Sequence, residues 1–218
     1  MRFDEVERRL DEARLLRLPG PEAQASMAPR PRSFWVPGVV PDDARRAAGL
    51  VLLFPRGDDT SLLLTVRGAR LLTHRGQVSF PGGAVEAGET IEQAALREAE
   101  EEVGLDSAGV AIRLHLTPLH IPVSGFVLHP VVATAPAPPR VHPAAAEVAR
   151  IVEIELSRLA GRAGLRVEPE ERDGVTIQVP YFDLAGAKLW GATAMVVAEL
   201  LALLGAPIDP WKDPAAPG

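Results

Sequence analysis

The stretch Arg97-Glu98-Ala99-Glu100-Glu101-Glu102-Val103-Gly104 packs four carboxylates into five positions behind a single guanidinium. At about 100° per residue, Glu98, Glu101 and Glu102 share an arc of roughly 100° on a helix, while Glu100 points to the other side. Traced backward, the same arc holds Ile91, Ala94 and Ala95, so the three carboxylates extend an inward-facing apolar stripe. Like charges at these spacings cost a helix roughly 0.2–0.5 kcal/mol per pair, and the macrodipole disfavours anions at a C-terminus. Arg97 reaches Glu101 at i+4 and neutralises one carboxylate. The remainder call for a divalent cation, and hard oxygen ligands select magnesium, manganese or calcium over softer metals. Upstream, Phe80-Pro81-Gly82-Gly83 offers a rigid proline followed by two residues without Cβ, so that a carbonyl near Gly83 can complete the coordination. Glutamate runs are also common as plain solvated faces, and Glu100 is assigned to that class. The unfavourable dipole placement, the glycine turn and the neighbouring arginines set the other three apart.

Arg67, Arg70 and Arg75 with His74 form a short basic patch before this helix, suited to an anionic ligand held through a metal ion. The helix itself is well delimited. Thr90 with Gln93 makes a capping-box pattern and Gly104 is the C′ residue, which predicts Ile91 to Val103. Elsewhere the spacing predicts a helix over 3–18 and an irregular proline-rich arm from Pro19 to about Pro41. Strands are expected at 46–54, 61–67, 110–116, 126–134, 147–156 and 176–184, with a short one in Gln77-Val78-Ser79-Phe80. PGGAVEAGE reads as a turn, 136–145 as a surface loop and 192–204 as an apolar helix. Alternating βα units are too few for a doubly wound sheet, so a mixed sheet flanked by helices is expected. The expected layout is an arm at 1–45, one domain at 46–205 and a proline-rich tail at 206–218.

With 218 residues, 47% apolar and 24% charged, the chain can bury one sizeable core. It has no cysteine, which removes disulfides and thiolate chemistry and fits a reducing compartment. The charged opening MRFDEVERRL does not read as a signal peptide, and LWGATAMVVAELLALLG carries a glutamate and falls short of a membrane span. A cytoplasmic protein without a membrane partner is the expectation, and a net charge of -6 argues against nucleic acid.

Gly83-x5-Glu89-x7-Arg97-Glu98-Ala99-Glu100-Glu101-Glu102-Val103-Gly104-Leu105 resembles the Nudix box at its glycines, glutamates and arginine, with Ala99 small where an aliphatic residue is usual. The upstream LLTVRGARLLTHRGQVSFPGG resembles the extension of the coenzyme A pyrophosphatase branch, from which Gly68 and Leu72 depart. IPVSGFVLHPVV, EVARIVEIELSRL and LWGATA look like that branch as well. The resemblance implies an α/β/α sandwich with a mixed central sheet, a requirement for magnesium or manganese, and hydrolysis of a nucleoside diphosphate linked to another moiety. The implied substrate is coenzyme A or a derivative, cleaved to 4′-phosphopantetheine and adenosine 3′,5′-bisphosphate.

Glu98, Glu101, Glu102 and Gly83 are then the metal set. Glu98 is the first candidate for general base and Glu147 the second, with a plain surface role for Glu147 equally open. Arg67 and Arg75 are candidate phosphate partners, with His74 behind them. His115, His120, His129 and His142 lack metal-ligand spacing and are read as structural. Trp190 and Tyr181 are read as core, with nucleobase stacking as the lesser reading. Two alternatives remain at this level: a Nudix pyrophosphatase for ADP-ribose, dinucleotides or nucleoside triphosphates, and a nucleotide-sensing or partner-binding module without turnover.

Overall fold

The computed structural model describes residues 1–31, 36–68, 77–144, 148–172, 174–184 and 186–212. In chain order the elements are α1 (Phe3–Ala13), α2 (Gly20–Gln24), β1 (Arg45–Arg56), β2 (Asp59–Arg67), β3 (Val78–Ser79), β4 (Gly82–Ala84), α3 (Ile91–Val103), β5 (Ala111–His115) and β6 (Leu119–Ile121). They continue with β7 (Phe126–Thr134), β8 (Val148–Glu155), α4 (Leu156–Ala160), β9 (Leu165–Arg172), β10 (Val175–Asp183), β11 (Lys188–Trp190) and α5 (Gly191–Leu203).

The main sheet is mixed and eight-stranded, with the path β3-β2-β1-β7-β5 and with β4, β6 and β8 paired to β1, β7 and β2. Strands β1 and β7 run parallel from Arg45↔Phe126 to Leu53↔Thr134, and the other pairings are antiparallel. Strand β1 reads as a continuous apolar run because it is covered on both sides. Ala48, Leu50, Leu52 and Phe54 pack with Ala94, Ala95, Ala99 and Val103 of α3, whereas Val51 and Leu53 join the core built around α1 and α5. Helices therefore flank a mixed central sheet, as expected.

Several elements differ from the sequence reading. Gly82–Ala84, read as a turn, forms β4 against Gly49 to Ala47 of β1, a pairing that glycine permits because a Cβ at Gly82 would overlap the Ala48 carbonyl. The proline-rich arm carries α2 and a 3₁₀ turn at Ala25–Met27, which bury Gln24, Ala25 and Met27. Leu156 opens α4 and does not end β8. The three-stranded sheet β11-β10-β9 includes two strands that the sequence pattern did not reveal.

Tyr181 and Trp190 face each other across β10 and β11, are half-buried, and lie under Lys188 and Arg172 at 4.7 and 5.3 Å from the ring centroids. They are therefore not core residues. Cations cover their outer faces, an arrangement that suits amphipathic rings at a sheet surface. No described helix is long and apolar enough to cross a membrane.

Candidate functional site

Local sequence sets the frame of α3. Thr90 Oγ1 accepts from the Gln93 N–H at 3.2 Å, Gln93 Oε1 accepts from the Thr90 N–H at 2.9 Å, and Gly104 closes the helix at φ 62°. The buried stripe of Ala94, Ala95, Ala99 and Val103 is mostly small, so the helix lies close to β1 and β4. That approach brings Glu98 against the glycine turn: a Cβ at Gly83 would overlap the Glu98 carboxylate. Glu102 Oε2 accepts from the Gly82 N–H at 3.2 Å. The Glu98 side chain is 18% exposed and Glu101 is 60% exposed, so Glu101 sits at the open rim. Glu100 is exposed, in keeping with its solvated assignment.

Arg97 ties these groups together, with a first partner the sequence reading did not name. Its Nε and one terminal nitrogen donate to the two oxygens of Glu89 at 2.8 and 3.1 Å, a bidentate fork. The same terminal nitrogen reaches Ala84 O at 3.1 Å, and the other donates to Glu98 at 2.9 Å and to Glu101 at 3.4 Å. The expected Arg97–Glu101 contact exists, but it is the longest of the set. The Glu89 carboxyl is held below its ordinary value, first by Arg97 and then by the Glu86 N–H. Arg97 is raised above its own ordinary value by Glu89 and then Glu98, against the lowering effect of burial. The signal for this pair was present in the Glu89-x7-Arg97 spacing, but only the fold of the intervening loop shows that the two meet.

Gly83, Arg97, Glu98 and Glu102 thus come together, with Glu101 at their edge. Among the described residues no three carboxylates or imidazoles already converge at ion-holding distance, and Arg97 bridges Glu98 and Glu101 in their place. The donor set nonetheless fits a hard cation. All the side-chain donors are carboxylate oxygens, they crowd at like charge, and the glycine turn leaves their approach to the backbone open.

Arg67 ends β2 at a bulge opposite Val148, and its side chain lies outside the described residues, as do His74, Arg75 and Glu147. The histidines are spread over the fold. His115 Nε2 lies 2.9 Å from Glu92 Oε1, and burial, with Arg46 and His115 nearby, lowers His129 below the usual imidazole value.

The NUDIX domain family matches residues 43–155. A protein of Photorhabdus laumondii, named uncharacterized Nudix hydrolase NudL, is 35% identical over 160 residues, covering 73% of this chain and 84% of its own. A Citrobacter koseri protein of the same name is 38% identical over 164 residues, covering 74% and 84%. The crystal structure of the M. smegmatis Nudix hydrolase RenU shares the fold at TM-score 0.52 and 22% identity, over 74% of this chain and 86% of that one. From the matched span, the relatives and the motif on α3, this chain belongs to the Nudix hydrolase family.

Proposed function

We propose that this Nudix hydrolase cleaves the diphosphate of coenzyme A or its derivatives by water attack, releasing 4′-phosphopantetheine and adenosine 3′,5′-bisphosphate. The observation that carries the reading is the set of α3 carboxylates brought against the Gly82-Gly83 turn, with Arg97 forked onto Glu89 beside them. Support for coenzyme A within the family comes from the upstream residues Leu63, Leu64, Thr65, Arg67, Gly76 and Phe80 to Gly83.

Glu98, Glu101, Glu102 and the Gly83 carbonyl would hold magnesium or manganese. A divalent ion there supplies neutralisation of diphosphate charge and makes water more acidic. The chain's own part is positioning and proton transfer. The Arg97–Glu89 fork fixes the helix against the glycine loop, and Glu98 accepts the proton of the attacking water, with Glu147 as the other candidate base. Arg67 and Arg75, with His74, bind phosphate, and the 3′-phosphate of coenzyme A gives their charge a partner.

The test is mass-resolved product analysis of the purified protein with magnesium or manganese, offering coenzyme A, ADP-ribose, NADH and diadenosine polyphosphates in parallel. Phosphopantetheine released preferentially from coenzyme A supports the reading, and preference for another diphosphate overturns the substrate while keeping the chemistry. Arg67→Ala is expected to raise KM for coenzyme A more than for its dephospho form. Equal effects on both would remove the 3′-phosphate role.

A further inference from the structure

The last turn of any helix leaves carbonyls that its own N–H groups cannot reach. In α3 these carbonyls belong to the turn that carries Glu102, where the dipole already opposes negative charge. The loop after β7 answers them. The His142 N–H donates to the Val103 carbonyl at 3.0 Å and the Ala144 N–H to the Glu102 carbonyl at 2.9 Å, while the Gly104 N–H takes the Glu100 carbonyl at 2.9 Å.

The His142 ring lies over Gly104. A Cβ at Gly104 would stand 2.5 Å from His142 Cε1 and 3.0 Å from Nδ1. Val141, partly buried, anchors the loop in the same core cluster as Ala99 and Val103. Pro136, Pro138, Pro139 and Pro143 restrict the backbone on both sides of His142, so little entropy is lost when the loop docks. Pro143 also biases His142 towards the extended conformation, which continues the loop along the helix end.

We infer that His142 is a positioning residue, its ring seating the 136–144 loop on Gly104 so that the backbone N–H groups of His142 and Ala144 hold the Val103 and Glu102 carbonyls and the Glu102 carboxylate is presented to a divalent cation. The inference rests on the metal-dependent reading above and goes beyond it by assigning the 136–144 loop a part in cation affinity. The loop's N–H groups offset partial negative charge on the very carbonyls beside the glutamates. Losing them lets the last turn fray and carries Glu102 away from Gly82.

Manganese binding, read by electron paramagnetic resonance of the free ion, tests this without reference to turnover. In His142→Ala the dissociation constant for manganese is expected to rise about tenfold, the scale of losses seen when groups supporting metal ligands are removed. The melting temperature without metal should change little. His142→Phe, which keeps a flat ring over Gly104, is expected to restore affinity, and Ala144→Pro, which removes the N–H to Glu102, to weaken it again. Unchanged affinity in His142→Ala beside normal wild-type binding would overturn the clamp alone. A fall in melting temperature that accounts for the loss and is not rescued by Phe would reduce His142 to a structural residue. Wild-type protein that binds no manganese would overturn the metal reading and the clamp together.

Discussion

On α5, Glu199 is wholly buried and accepts from the Gly20 N–H at 3.1 Å, Gln24 Nε2 at 2.9 Å, Thr117 Oγ1 at 2.6 Å and the Thr117 N–H at 3.2 Å. On α3, across the sheet, Glu98, Glu101 and Glu102 crowd one end of a helix, and Arg97, which reaches Glu98 and Glu101, is itself 26% exposed. The first carboxylate is surrounded by neutral donors fixed in α2 and in the segment after β5, so it joins those elements to α5 and has no use for a cation. The second group keeps mutual repulsion that neutral donors do not remove. Burial with saturation marks a structural carboxylate, and crowding at a partly open glycine turn marks one suited to binding a cation.

The comparison breaks most sharply at Glu102. Glu102→Gln is expected to lower turnover about a thousandfold, or ~4 kcal/mol in the barrier, with the melting temperature unchanged or raised as repulsion on α3 falls. Steady-state rates at saturating magnesium beside circular dichroism melts check this, and intact turnover would remove Glu102 from the metal set. Glu199→Ala should do the reverse. It leaves the donors of Gly20, Gln24 and Thr117 without their acceptor and costs about 3 kcal/mol of stability, read from the denaturant midpoint, with turnover per folded molecule retained.

Magnesium at about a hundredfold excess over its dissociation constant should stabilise the wild-type protein by ~2.7 kcal/mol and Glu102→Gln far less. Equal shifts in calorimetry would show that the ion binds elsewhere. Glu89→Gln, which weakens the fork holding Arg97, is expected to reduce metal affinity about tenfold, measured by titration calorimetry. The smallest effect belongs to the other end of the helix. Thr90→Ala removes the cap at a cost of about 1 kcal/mol, and loss of activity there beyond the loss of fold would mean that the helix frame and the site are not separable.

How much of this was legible in the residues varies with the range of the interactions concerned. Helix α3 occupies Ile91–Val103 as read, because its cap, stripe and terminal glycine are all encoded within the segment. Strand β7 matches its predicted 126–134 span, and β1 and β2 were found within two residues at each end from apolar content alone. Strand β9, with the charged sequence Leu165-Arg-Val-Glu-Pro-Glu-Glu-Arg172, carries no such content and exists through its ladder with β10. Short β4 and β11 depend on partners in the same way. Glu199 entered the sequence reading only as a charge that weakened a membrane span, since its donors lie 82 to 179 positions away along the chain.

From its own residues, then, the chain determines the carboxylate helix, the glycine turn and the family pattern that joins them, because each is a matter of spacing within a short stretch. Tertiary structure alone decides that Arg97 forks onto Glu89, that Glu102 meets the Gly82 N–H, that Glu101 stays at the rim and that His142 closes over Gly104. These contacts depend on how closely α3 settles onto the sheet and how the 136–144 loop returns to its end. Burial of the small Ala94, Ala95 and Ala99 sets that closeness. Burial is a property of the packed core as a whole, and no single stretch of sequence displays it.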